Sequence, residues 1–360
     1  MDDRRPFSPA LPAHPWRRAV PPTRILAIRL QAMGDVVITL PYLRALQLAL
    51  PGAEIDFVTR DEDAEIPLAL QLFRRVERLG GGRSERRQFL LTPLVAPRLL
   101  ARRYDVVLDL QNNRVSRAIR RWARPRAWAA FDCESPIAAG ERTRRTIEAA
   151  GFPVPHVEAS LPLRDPHLGL DVLRRAKWDP ARSLVVLSPA GAFASRNWPI
   201  ARYARFAALW RERHAAQFAI LGLESLRGKA AALEAALGED LLNLVGATTP
   251  SQALAIVQRA SLVLSEDCGL MHMAWTSGVP TLALFGSSRH DWSTPLGGHT
   301  LCLHSGDLEC GACMDPACRY GDLHCLTRYA ADQIVEHAEA LIARAAQTPI
   351  RIVSQPCSTG

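Results

Sequence analysis

Nine apolar runs of six to nine residues, each closed by a turn residue or a charged group, constrain this 360-residue chain more than any other feature. RILAIRL (24–30), EIDFVTR (54–60), YDVVLDL (104–110) and AWAAFD (127–132) form a first series. SLVVLSPAG (183–191), QFAILGL (217–223), LLNLVG (241–246), LVLSED (262–267) and TLALFG (281–286) form a second. A strand that is apolar at successive positions, without alternation, is covered on both faces, as in a parallel sheet flanked by helices. The intervening stretches are long enough for crossover helices. After the first run, Val36, Val37, Leu40, Leu43, Leu46 and Leu50 recur at helical spacing. The pattern predicts an α/β protein of two Rossmann-like, doubly wound domains with an interdomain cleft, and ligands at the carboxyl ends of the strands.

Periodicity fades from Phe152 to Arg182, where prolines stand at 153, 155, 162, 166 and 180. The predicted layout is a flexible tail over 1–23, an N-terminal domain over 24–165, a linker over 166–182 and a C-terminal domain over 183–329. An amphipathic helix over 330–346 that could cross back to the first domain, and a tail over 347–360, complete it. No run of about 18 apolar residues exists and the N-terminus lacks the apolar core of a signal peptide, so the expected location is the cytoplasm.

Charge is unevenly spread. Up to Pro180 there are 30 Lys and Arg against 21 Asp and Glu; beyond it there are 14 against 15. A basic first half suits an anionic partner, which could be a phosphorylated small molecule, a membrane surface or a nucleic acid. Aromatic residues are only 6% of the chain, and no zinc finger, RNP or basic-helix pattern occurs, so a nucleic acid is not expected.

The strand ends carry the chemistry. Gly34 and Asp35 lie in the turn after the first run, where an aspartate serves either as a helix cap or as a base facing an incoming hydroxyl. QAMGD does not supply the three glycines of a dinucleotide fingerprint. SPAGAFASRNWP (188–199) leaves a strand through small residues and enters a helix, so its backbone amides and Arg196 suit an anion, unless it is a plain surface loop. Glu224 follows another strand, where a carboxylate can bind ribose hydroxyls. In SEDCGLMH, Asp267 and Cys268 end a strand and Gly269 opens a helix whose free amides suit phosphate. Asp267 would repel phosphate and therefore suits sugar hydroxyls or a cap, and His272 reads first as a structural histidine. Cys310, Cys313, Cys318 and Cys325 fall within sixteen residues. They could hold a structural zinc, remain free thiols or oxidise in pairs; four thiolates leave no open position for catalysis.

Together, ILAIRLQAMGDVVITLPYLRAL, the SRNWP turn, LVGATTPSQALAIVQRASLVLSEDCGLMHMAWTSGVPTLALFG and the cysteine cluster resemble the ADP-heptose:lipopolysaccharide heptosyltransferases, glycosyltransferase family nine, over about residues 24–345. The resemblance implies a GT-B fold with an acceptor-binding N-terminal domain and a nucleotide-sugar-binding C-terminal domain. It implies inverting transfer of heptose from ADP-heptose to the lipopolysaccharide inner core, without a cofactor for the chemistry. Asp35 matches the family's proposed base, and Arg196 stands at the lysine of a Lys-x-Trp-Pro motif, which keeps charge but changes geometry. Glu224 matches a carboxylate near the nucleoside. Asp267, Gly269, Leu270 and His272 match an Asp-(Ser/Thr)-Gly-Leu-x-His signature from which Cys268 departs. The implied partners are an ADP-activated sugar and an anionic lipid-linked saccharide met peripherally at the inner membrane surface. The alternatives are a related transferase with another nucleotide sugar or acceptor, a nucleic-acid-binding protein, and a non-catalytic nucleotide-binding module.

Overall fold

The computed structural model describes residues 11–154, 156–347 and 351–352. Contacts divide the chain into two compact units, Met1–Leu68 with Leu72–Pro155, and Ala69–Gln71 with His156–Gly360.

The first unit is a six-stranded sheet. Its strands are β1 (Ala13–His14), β2 (Arg24–Ile28), β3 (Glu54–Arg60), β4 (Arg75–Leu79), β5 (Val106–Asp109) and β6 (Ala127–Ala130), in the order β1-β6-β5-β2-β3-β4. All neighbours are parallel except β1, which pairs antiparallel with β6. Ile25 of β2 stands opposite Ile55 on one side and Val106 on the other. Such central strands are apolar because both faces are covered: Leu26, Ile28, Val58 and Val107 pack with Val95, Leu99, Val115 and Ile119 of the flanking helices in one core. β2, β3 and β4 are laid down in one direction and β5 and β6 in the other, so the winding reverses between β2 and β5. Ligand crevices form at such reversals.

The second unit repeats the plan. Besides β7 (Val157–Glu158), it contains β8 (Ser183–Ser188), β9 (Ala216–Gly222), β10 (Leu241–Val245), β11 (Leu262–Glu266), β12 (Thr281–Phe285) and β13 (Thr300–His304). These six form an all-parallel sheet in the order β10-β9-β8-β11-β12-β13, whose winding reverses between β8 and β11. A short β14 (Arg351–Ile352) pairs antiparallel with β7.

Several boundaries differ from the sequence-based layout. Residues 156–165, expected with the first domain, group with the second, as does the expected linker, which contains the helix Leu170–Arg175. In the expected N-terminal tail, Ala13–His14 forms β1, and Trp16 N–H donates to the Ala150 carbonyl at 2.8 Å. Both contacts use backbone groups, which a proline- and arginine-rich composition does not reveal. The remainder of the expected tails, 1–10, 348–350 and 353–360, lies outside the described residues. The helix Ala331–Gln347 buries Ile334, Val335, Ala338 and Leu341 with Tyr203, Phe206 and Trp210 in the core of the second unit.

Candidate active site

At the winding reversal of the first unit, the turn after β2 meets the turns after β5 and β6. The Gln111 side-chain oxygen accepts from the amides of Leu30 and Gln31 at 3.0 and 3.1 Å. Arg29, 6% exposed, donates to the Leu110 carbonyl and pairs through Nη2 with Asp35 Oδ1 at 2.9 Å. Asp35 is in the first turn of the helix Met33–Ala49, just after Gly34, and its Oδ2 accepts from the Ala32 amide at 3.0 Å. The carboxylate is thus both a cap and an ion-pair partner, and its side chain keeps 39% of its surface exposed.

Arg142, on the helix Ala139–Ala149, completes this corner. Its guanidinium and that of Arg29 each lie 4.9 Å from the centre of the Phe131 ring. Arg142 donates to the Asp132 carbonyl at 3.1 Å. Among the described residues it forms no ion pair, and its Nε is buried without a partner. Burial, then the neighbouring Arg29 charge, lower its proton affinity. Two guanidiniums sharing one carboxylate leave positive charge beside Asp35. Arg29, Phe131 and Arg142 escaped the sequence reading because they come from separated segments; only the basic bias of the first half hinted at them.

At the reversal of the second unit, the loop after β8 folds against the turn after β11. Gly191 is required here: a Cβ would stand 2.6 Å from the Arg196 carbonyl oxygen. Arg196 Nη1 lies 3.3 Å from Asp267 Oδ2, and the Ser293 hydroxyl donates to Asp267 Oδ1 at 3.3 Å. Asp267 and Arg196, separate motifs in the sequence, therefore form one pair. Beneath them is Glu266, fully buried, which accepts from the Gly191 amide and the Trp198 amide, both at 2.7 Å.

Cys268 caps the helix Gly269–Thr276, and its sulfur lies 3.2 Å from the Ser188 hydroxyl and 3.3 Å from that of Ser265. Burial raises the proton affinity of this thiol. Around Gly269 the situation is opposite to Gly191: an added Cβ would meet nothing within 4 Å. Space is therefore open beside Gly269 at the start of this helix, the end of a helix at which an anion is favoured, while the Leu270 and Met271 amides point toward the Cys268 sulfur. Leu270 is buried. His272 is buried and its Nδ1 accepts from the Trp275 indole at 3.0 Å, the setting of a packed histidine. Glu224 follows β9, two strands from β11 and so about 10 Å along the same sheet edge. It is exposed and pairs with Arg227 through Nε at 3.0 Å.

Cys310, Cys313, Cys318 and Cys325 line one small cavity of about 30 Å³ with Ser195, Gly286 and Ser287. Burial raises the Cys325 thiol's proton affinity, and the other three thiols add to it. All seven cysteines among the described residues are free, and among those residues no group of three His, Cys, Asp or Glu side chains stands in an arrangement able to hold a metal. The segment also braces the Arg196 loop. The Ser195 hydroxyl donates to the Asp315 carbonyl, the Ser195 amide donates to the Pro316 carbonyl at 3.3 Å, and the Met314 sulfur lies 3.4 Å from an Arg196 nitrogen.

A model of glycosyltransferase family 9 (heptosyltransferase) matches residues 95–324. The chain belongs to this family. The matched span contains the Arg196 loop, Glu224, Asp267–His272 and three of the four clustered cysteines, ends just before Cys325, and begins beyond Asp35. Among family 9 relatives, the lipopolysaccharide heptosyltransferase 1 of Pseudomonas aeruginosa is 27% identical over 82% of this chain and 88% of its own. The family 9 transferase of Veillonella parvula superposes with a TM-score of 0.75 at 18% identity, over 89% of this chain and 97% of that one. The Escherichia coli heptosyltransferase WaaC with ADP-2-deoxy-2-fluoro heptose gives 0.61 at 18% identity, over 88% and 99%. The two parallel sheets are thus those of the GT-B heptosyltransferase fold.

Proposed function

We propose that this chain is an inverting heptosyltransferase that moves heptose from ADP-heptose to the inner core of lipopolysaccharide. The observation that carries the reading is the Arg196–Asp267 pair beside an open helix start at Gly269, at the winding reversal of the second unit. Arg196 and the start of that helix neutralise the charge that develops on a departing diphosphate, and Asp267 addresses the sugar hydroxyls. Leu270 and His272 fix the helix in place. Glu224 takes the ribose hydroxyls from the β9 edge. Asp35 accepts the proton of the attacking hydroxyl, and its bonds to Arg29 and the Ala32 amide fix the orientation of the carboxylate. WaaC binds an ADP-heptose analogue, which supports ADP-heptose as donor here.

The acceptor is an anionic, lipid-linked saccharide. The surplus guanidinium charge of Arg29 and Arg142 beside Asp35 supports this, as does the basic first half of the chain. No helix among the described residues is long and apolar enough to cross a membrane, and contact with the lipid surface would be peripheral.

The deciding experiment incubates the purified protein with ADP-heptose and truncated core acceptors and weighs the products. A gain of one heptose per acceptor is expected. Cys268 favours one competing reading, a different nucleotide donor, because its sulfur faces two serine hydroxyls where the family carries a hydroxyl side chain. Calorimetry with ADP, UDP and GDP separates the two. Tight binding of UDP or GDP with none of ADP would remove heptose from the assignment.

A further inference from the structure

Glu266 is fully buried at the end of β11, next to Asp267 but outside every role assigned above. One carboxylate oxygen accepts from the Gly191 amide and the other from the Trp198 amide, each at 2.7 Å, so the group ties the two ends of the loop that carries Arg196. The Tyr203 hydroxyl approaches from the next helix at 3.4 Å. Lys229, from the helix Arg227–Leu237, faces the same loop and donates to the Pro189 carbonyl and to Asn197 Oδ1. A carboxylate with two acceptor oxygens matches two inward-pointing amides; a protonated acid turns one oxygen into a donor aimed at another donor.

We propose that Glu266 is a positioning residue whose ionised carboxylate clamps the 189–198 loop in the shape that receives the donor's phosphates, with Lys229 holding the charge in place. This rests on the reading of that loop as the donor site. Burial pushes the Glu266 pKa up to about 7, against the pull of Lys229 and of the bonds from Gly191, Trp198 and Tyr203. The other titratable groups facing it, Tyr203 and Cys268, are both shifted upward by burial, so neither gains a charge near neutrality. The clamp is therefore engaged above pH 7 and released below it, and donor affinity falls as the solution is acidified.

The test measures ADP affinity by calorimetry against pH for three full-length proteins. Wild type should bind ADP roughly tenfold more weakly at pH 6 than at pH 8, as expected for one group titrating near 7. ADP's own phosphate titration is common to all three proteins and cancels in the comparison. Glu266→Gln leaves one amide without an acceptor, so it should bind ADP about tenfold more weakly at pH 8, with this pH dependence gone. Lys229→Met removes the neighbouring cation, and the midpoint should move up by about one pH unit. If Glu266→Gln does not fold by circular dichroism, the Lys229→Met midpoint decides. Wild-type pH dependence surviving in Glu266→Gln, or an unmoved midpoint in Lys229→Met, overturns the clamp alone. A wild type that binds no ADP at any pH overturns the donor reading and the clamp with it.

Discussion

Two carboxylates beside the winding reversals, Asp35 in the helix turn after β2 and Glu266 at the end of β11, show how environment divides the work. Glu266 is sealed, and its raised pKa has a thermodynamic sign. A folded-state value above the unfolded one gives stability that is present at low pH and lost as pH rises, here between about 4.5 and about 7. Ionising it costs the fold about 3 kcal/mol at neutral pH. Asp35 is half-open: Arg29 holds one oxygen and the Ala32 amide the other, and the exposed part of the carboxylate can still meet a substrate hydroxyl. Asp35→Asn keeps an oxygen for the Ala32 amide but loses the Arg29 ion pair and the proton acceptor. Turnover should fall by roughly 10²- to 10⁴-fold, as for a lost general base. ADP affinity, measured by calorimetry, should stay within about twofold, and the melting temperature should fall by the equivalent of about 1–3 kcal/mol because the buried Arg29 guanidinium loses its carboxylate. Parallel loss of turnover and ADP binding would make Asp35 a helix cap alone.

At the level of elements, the strands were legible because a strand covered on both faces has to be apolar throughout. All nine runs are strands, most within a residue or two of their expected ends. Most of those that escaped lack that signature: β4 is RVERL at the sheet edge, where charge is tolerated, and β1, β7 and β14 are two-residue pairings held by backbone. The exception is β13, TLCLH at the edge of the second sheet, which is buried and apolar like the nine but is not among the runs. Loops were legible as glycines and charges, though not as partners, since neither the Arg196–Asp267 pair nor the Glu266 bonds can be read from spacings of about 70 residues. Two glycines now carry opposite expectations. Gly191→Ala places a methyl against the Arg196 carbonyl, so it should lower both the melting temperature and ADP affinity, the latter by at least about tenfold. Gly269→Ala meets only open space and improves helix propensity, so the melting temperature should hold or rise by the equivalent of under about 1 kcal/mol. Its ADP affinity should nevertheless fall about tenfold, because the methyl projects where the phosphate would sit. Thermal melts and calorimetry on the two variants check this, and unchanged ADP affinity in Gly269→Ala would place the phosphate elsewhere.

Across the whole molecule, charge is partitioned more sharply than fold. Both units are doubly wound sheets with a winding reversal each, yet the excess of cations lies before residue 180 and the remainder is nearly neutral. If the excess existed only for solubility, acceptor kinetics would be indifferent to salt. If it gathers an anionic acceptor toward Arg29 and Arg142, the attraction acts over the Debye length, about 14 Å at ~50 mM salt and about 6 Å at ~300 mM. Raising the salt across that range should therefore increase the KM for a phosphorylated acceptor several-fold. The KM for the same saccharide stripped of its phosphates should change little, and a melt in each buffer shows whether the fold is affected. Arg142→Gln should blunt the salt response and raise the phosphorylated acceptor's KM already at low salt, because it removes the guanidinium that has no ion pair of its own among the described residues. Equal salt dependence for the two acceptors would assign the basic half to something other than acceptor capture.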